Sequence, residues 1–258
     1  MKQLAAPVIS KQEVMPGVHL LWLEAQEIAS EAKPGQYVMV GCGQDNVLPR
    51  PLSIHQIDSS KLALLFAVVG KGTSWLSKRQ VGNDLNIFGP LGNGFSISSG
   101  SKNLLLVGGG IGISPLPFLA DRARSQGYSV RGVRGANTAR QLLPDEFLPH
   151  VQTLWPAATT LVGDPGTIKG VVTDLLPDFA GRADQIFACG PLPMYRAMAR
   201  MPSLKNKSVQ VSLEVVMGCG RGVCYGCTIR TRSGLKKVCE DGPVFDMDDI
   251  LWEELILA

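Results

Sequence analysis

Cys219, Cys224, Cys227 and Cys239 fall within twenty-one residues, at the spacing C-x4-C-x2-C-x11-C. The first three reproduce the spacing with which plant-type ferredoxins wrap a 2Fe-2S cluster, the fourth thiolate arriving from a later segment. Glycines at 218, 220, 222 and 226 free the loop to curl around inorganic sulfide with its N–H groups turned inward. Zinc also takes four thiolates, but structural zinc typically uses two short C-x2-4-C pairs, and one is present here. Two disulfides would need an oxidising compartment, which nothing else in the chain suggests. The spacing favours the iron–sulfur cluster.

A second chemical feature is Gly108-Gly-Gly-Ile-Gly-Ile-Ser-Pro, directly after the hydrophobic run Leu104-Leu-Leu-Val. Glycines after a strand let the backbone approach a pyrophosphate, and the following helix turns free N–H groups and a positive dipole end toward the anion. Tight packing of strand on helix calls for the same glycines. The acidic residue that would bind a ribose 2′-hydroxyl after the next strand is missing. Val130-Arg-Gly-Val-Arg-Gly offers arginines instead, which points to a different ribose contact or to a phosphorylated cofactor. Two weaker features lie upstream. Arg50-Pro-Leu-Ser53 opens a strand-like run, and Val68-Val-Gly-Lys-Gly-Thr73 is a glycine turn with a helix-starting threonine, able to cradle phosphate or simply to cap a helix.

These residues need a scaffold. Over residues 1–99, short β-branched and aromatic runs (Val18–Leu23, Gln36–Val40, Lys61–Val69 and Asp84–Phe88) alternate with turns such as Met15-Pro-Gly, Lys33-Pro-Gly and Gly82-Asn-Asp. That texture predicts a small antiparallel barrel, with one helix near residues 72–80. From Asn103 a β–α alternation begins, with strands expected at Leu104–Val107, Ser129–Val133, Thr159–Val162 and Gln185–Cys189; it predicts a parallel sheet covered by helices over 100–207. Residues 208–258 hold the four cysteines and an acidic end. The fold class is therefore β plus α/β with a small C-terminal cluster lobe.

Composition bounds the partners. The chain has 258 residues, 45% hydrophobic and 18% charged, with net charge +3, enough for two or three parts with sizeable cores. No dense basic block invites nucleic acid. The apolar run at the N-terminus breaks too early for a signal peptide, and no stretch reaches membrane-span length. A cytoplasmic protein is expected. Cys42 reads as a small buried hydrophobe, and His19, His55 and His150 are assigned no catalytic role.

Taken in order, Arg-Pro-Leu-Ser, Gly-x-Gly-Thr, the Gly109–Ser114 turn, Cys189-Gly-Pro191 and the cysteine loop are far more specific than any one of them. Over essentially its whole length the chain resembles the ferredoxin-reductase-type flavoproteins, and within them the electron-transfer subunits of class B dihydroorotate dehydrogenase. The resemblance implies FAD bound by Arg50, Pro51, Leu52 and Ser53, its pyrophosphate held by Gly72 and Thr73, and its flavin lined by Leu65, Phe66 and Ala67. It implies NAD between the turn of Gly109, Gly110, Ile111, Gly112 and Ser114 and the pair Gly190 and Pro191, with the Cys189 thiol beside the hydride-transfer centre. It implies a metal site of Cys219, Cys224, Cys227 and Cys239. It further implies a partner, the FMN-containing catalytic subunit of dihydroorotate dehydrogenase, in a heterotetramer of two plus two chains serving pyrimidine biosynthesis.

The residues leave other assignments open. The same architecture serves as reductase subunit in hydrogenase, sulfide dehydrogenase and transhydrogenase complexes, and the cysteine loop does not separate these. A zinc-stabilised nucleotide-binding regulatory module is a more remote reading.

Overall fold

A computed structural model describes residues 1–44, 47–149, 155–160 and 166–255. Six strands close the N-terminal barrel: β1 (Lys2–Met15), β2 (Val18–Glu24), β3 (Tyr37–Val40), β4 (Arg50–Asp58), β5 (Lys61–Ala67) and β6 (Asp84–Leu91), in the order β1-β2-β5-β4-β3-β6. The long β1 was not expected from sequence. It pairs with β6 over Lys2–Pro7 and with β2 from Val8 onward, so one bent strand serves both edges of the seam. Pro7 stands at the changeover, where a missing N–H removes least from the ladders. A short helix, α1 (Gln26–Ala29), covers one end, and α2 (Lys71–Ser77) follows the glycine turn after β5.

The second unit is a seven-stranded sheet built on β7 (Asn103–Gly109), β8 (Ser129–Ala136), β9 (Ala157–Thr159), β10 (Thr167–Lys169), β11 (Gln185–Cys189) and β12 (Ser208–Ser212). The strand expected at Thr159–Val162 ends at Thr159; residues 161 and 162, like His150, lie outside the described residues. Helices α3 (Leu116–Ser125), α4 (Val172–Ala180) and α5 (Leu192–Ala199) cover the sheet. A hairpin of β13 (Thr228–Thr231) and β14 (Gly234–Lys237) and the single turn α6 (Val238–Asp241) carry the cysteine loop, and β15 (Val244–Asp246) returns antiparallel to β12. Sheet order is β10-β9-β8-β7-β11-β12-β15, so the C-terminal segment supplies two strands of the parallel-sheet unit.

That order reverses direction between β7 and β11, the neighbours from which chain order runs outward on both sides. A crevice opens at the carboxyl ends of the strands at such a switch point. The glycine turn leaves β7 on one side and Cys189-Gly-Pro leaves β11 on the other, with Gly108 and Cys189 in register.

Three apolar cores tie the parts together. One fills the barrel. Another joins barrel residues Met15, Leu20 and Leu65 to Leu104, Leu116 and Phe187 of the sheet unit. The third runs from Tyr37, Met39 and Leu91 of the barrel through the sheet to Cys227 and Cys239. The cysteine lobe is thus packed on the barrel as well as on the sheet. Among the described residues no helix is long and apolar enough to cross a membrane.

Candidate functional site

Two cavities of cofactor size open between the barrel and the sheet. The larger, about 610 Å³, is walled by Arg50, Pro51, Leu52 and Ser53 of β4, by Leu65, Phe66 and Ala67 of β5, and by Thr73 and Ser114. Gly72 lies behind this wall: a Cβ there would come within 2.7 Å of Arg50 Nε, so the glycine lets the guanidinium lie flat on the turn. Arg50 is steadied by donating from Nη1 to the Leu48 carbonyl at 2.6 Å. Thr73 Oγ1 accepts from the N–H groups of Val69 and Gly70 at 2.9 and 3.1 Å, which closes the turn after β5.

The smaller cavity, about 520 Å³, is lined by Gly109, Gly110 and Ile111 from the turn and by Pro191 across the crevice, with Gly135 and Asn137 at the end of β8. Ala67 and Ile111 line both cavities. The two therefore meet at a wall one residue thick.

The glycines of the turn divide by role. Gly110 has φ +56° and open space where a Cβ would stand, so it supplies an unusual backbone angle at the lip of the cavity. Gly112 and Gly190 face inward. A Cβ on Gly112 would lie 2.5 Å from the Cys189 carbonyl carbon and 2.6 Å from Gly190 Cα. Tight packing thus accounts for Gly112 and an unusual backbone angle for Gly110.

Cys189 lines neither cavity. Its thiol is buried in the core behind the turn, and desolvation, reinforced by the Glu214 carboxylate, pushes it far above the ordinary thiol range. The resemblance implies a place beside hydride transfer for this thiol; in the fold its backbone is what Gly112 rests against. The arginines of β8 also face elsewhere. Arg134 is ion-paired with Asp145 and donates to the Leu143 carbonyl, and neither it nor Arg131 lines the smaller cavity. The polar groups at that end are Asn137, Gln141 and Thr160.

Several residues not expected to line a cavity stand in the wall of the larger one. The segment Ser212–Met217 closes the larger cavity and, two residues later, reaches Cys219. Glu214 stands in this wall, and desolvation in the concave site raises its carboxyl above the usual range. Tyr37 lines the same cavity, and its hydroxyl donates to the Cys239 carbonyl at 3.0 Å. Burial first, then the cysteines around it, pushes that phenol far above its ordinary range. One side chain spans from cavity to cysteine loop. Motif spacing carries no signal for it.

The four cysteines stand as two pairs. Cys219 neighbours Cys224, and Cys239 neighbours Cys227. Backbone N–H groups converge on the sulfurs: Arg221 to Cys219 at 3.3 Å, Gly222 to Cys239 at 3.2 Å and Cys239 to Cys227 at 3.4 Å. Burial pushes the Cys219 thiol up, but donors from Arg221, Cys224 and Val223 outweigh it and bring it down to about 6. For Cys239, burial and the Cys227 thiol dominate and raise it to about 12. Among the described residues no three His, Cys, Asp or Glu side chains converge on one point. Two pairs with inward N–H groups fit two irons, each taking two thiolates, better than a single tetrahedral ion. Cys42 is buried, its Sγ 3.5 Å from the Val40 carbonyl oxygen.

Comparison with known proteins agrees with this geometry. Residues 214–251 match the family model described as the iron–sulfur cluster binding domain of dihydroorotate dehydrogenase B. The dihydroorotate dehydrogenase B (NAD(+)) electron transfer subunit of Caldanaerobacter subterraneus subsp. tengcongensis is 34% identical, covering 97% of this chain and 99% of its own. That of a Geobacillus species is 36% identical with the same coverage. Among solved structures, one described as an NADH-dependent reduced ferredoxin-NADP oxidoreductase, studied for flavin-based electron bifurcation, superposes with TM-score 0.88 at 28% identity, over 98% of this chain and 91% of its own. The ferredoxin reductase of carbazole 1,9a-dioxygenase shares the fold, with TM-score 0.71 at 21% identity over 81% and 68% of the two chains. The chain belongs to the family of dihydroorotate dehydrogenase B (NAD(+)) electron transfer subunits, an oxidoreductase family.

Proposed function

We propose that this chain passes electrons between NAD+ and an FMN-containing catalytic subunit that oxidises dihydroorotate, working in the cytoplasm in a complex of two plus two chains. FAD occupies the larger cavity, the nicotinamide of NAD the smaller, and a 2Fe-2S cluster is held by Cys219, Cys224, Cys227 and Cys239. When bound, these groups supply hydride exchange at the nicotinamide, single-electron exchange at the cluster, and at the flavin the conversion between the two.

The protein's own work is placement. Arg50 offers a fixed cation and Thr73 a closed turn to the FAD pyrophosphate, while Leu65, Phe66 and Ala67 exclude water from the flavin face. Gly109 and Gly110 leave room for the NAD pyrophosphate at the switch point, and Pro191 closes the opposite side. The division of labour is residues 1–99 for FAD, 100–207 for NAD and 208–258 for the cluster, the last lending β12 and β15 to the sheet. The observation that carries this reading is continuity. The two cavities share Ala67 and Ile111, and the larger touches the cysteine loop through Tyr37 and the segment Ser212–Met217.

Reconstitution tests it. Dihydroorotate should reduce NAD+ when both chains are present and not when either is omitted. NAD+ reduction by the partner alone, at the same rate, would remove the role proposed here. Similarity to the electron-bifurcating oxidoreductase supports a second reading, a subunit of a transhydrogenase-type complex. Co-purification with a ferredoxin- or NADP-reducing chain in place of an FMN protein would select it.

A further inference from the structure

His55 is fully buried on β4, two residues beyond the Arg50–Ser53 stretch, where the barrel packs against the start of α3. Its Nδ1 lies 2.7 Å from the Ser114 carbonyl oxygen. Since a carbonyl can only accept, the bond fixes the neutral imidazole with its hydrogen on Nδ1. Nε2 is buried with no hydrogen-bond partner among the described residues. An apolar side chain would fill this place without the cost of desolvating an imidazole. The retained polarity therefore has to be accounted for by the one bond that is made.

That bond ends on an informative residue. Ser114 closes the glycine turn, and its own Oγ donates to the Leu65 carbonyl at 3.2 Å. Leu65 and Ser114 both wall the larger cavity, and Ile111, one turn earlier, belongs to both cavities. Ser114 is thus held twice by the barrel, once by β4 through His55 and once by β5 through Leu65. A slip of this turn relative to the barrel would change the separation of the two cavities at the wall they share.

We infer that His55 is a positioning residue: by donating to Ser114 it locks the nicotinamide-side turn to the flavin-side barrel and sets the distance at which the two rings meet. The inference rests on the assignment of FAD and NAD to the two cavities.

The test pairs His55→Leu, which removes the donor, with His55→Asn, whose amide nitrogen stands as far from Cβ as Nδ1 does. Flavin-loaded chains are mixed rapidly with NADH without oxygen, and flavin bleaching is followed over a range of NADH concentration. His55→Leu should lower the limiting rate about tenfold, the equivalent of 1.4 kcal/mol, and leave the half-saturating NADH concentration in place, whereas His55→Asn should stay within about threefold of wild type. A purely space-filling role gives equal rates for the two variants, or the wild-type rate in both, and either result overturns the inference. Should His55→Leu fail to fold, ¹⁵N-histidine NMR of the wild-type chain decides. The hydrogen must reside on Nδ1 with and without flavin, and finding it on Nε2 refutes the bond. A wild-type chain that NADH does not bleach defeats the cavity assignment instead, which the NMR result does not touch.

Discussion

Replacing Gly112 and Gly110 by alanine should have different consequences, because one glycine is required by packing and the other borders the cavity. An added Cβ at Gly112 meets only backbone, 2.5 Å from the Cys189 carbonyl carbon and 2.6 Å from Gly190 Cα. No side chain can swing away, so β11 and the glycine turn must separate. Overpacking of this kind costs about 1–3 kcal/mol, and with backbone on both sides the top of that range applies. For a chain of this size, about 3 kcal/mol lowers Tm by about 6–12 °C. At Gly110 the Cβ stands free, but φ is +56°, and the left-handed conformation costs a non-glycine residue about 1–2 kcal/mol. Gly110→Ala should therefore melt only about 2–8 °C below wild type while requiring more NADH for half-saturation, since the methyl group narrows the lip of the smaller cavity. The assay is thermal unfolding by circular dichroism at matched flavin and iron content, because bound cofactors raise Tm by mass action. A Gly112→Ala chain melting within about 2 °C of wild type, or below which Gly110→Ala falls, would refute the division of roles.

Arg134→Ala should leave the ratio of NADH to NADPH turnover unchanged, since the guanidinium holds Asp145 and the Leu143 carbonyl rather than the cavity; steady-state kinetics with both cofactors check it. Tyr37→Phe removes the bond to the Cys239 carbonyl and should weaken the lobe by about 1–2 kcal/mol, read as faster loss of iron to a chelator; an unchanged rate would show that apolar packing alone holds the loop. His55, whose burial lowers its pKa from 6.5 to about 4, should make the fold acid-sensitive. The unfolded chain binds the proton first, so up to about 3 kcal/mol of stability is present above pH 6.5 and lost as pH falls toward 4. Urea unfolding of wild type and His55→Asn across that range should show the wild type falling more steeply.

The barrel was legible where strands alternate and turns carry Pro-Gly or Asn-Asp, as in Val18–Leu23 and Asp84–Phe88. It was not legible in β1, whose Lys, Gln and Glu positions face solvent on a strand that changes partner at Pro7. The parallel sheet was readable at β7, β8 and β11, whereas the three-residue β9 was expected at Thr159–Val162 and β10 was not expected. β12 and β15 hide in the cysteine segment because a three-residue strand such as Val244–Asp246 has no periodicity of its own. Motif spacing singled out the cysteines and the glycine turn, since thiolates and phosphates constrain residue type at fixed spacing, and the resemblance singled out the β4 stretch, which the structure places in a cavity wall. Tyr37, His55 and Glu214 act through contacts 59 or more residues away in sequence or through cavity walls, and spacing does not encode these. Cys189 is a small buried residue ending β11, as its place in the hydrophobic run suggests, and its thiol turns into the core.

Anaerobic titration of the purified chain with NADH, followed by visible absorbance and low-temperature EPR, tests the path from nicotinamide to cluster most directly. The flavin band should bleach, and a rhombic one-electron signal of a reduced 2Fe-2S cluster should grow with it. A chain replete with flavin and cluster that NADH leaves oxidised would contradict the account, as would a colourless protein carrying zinc.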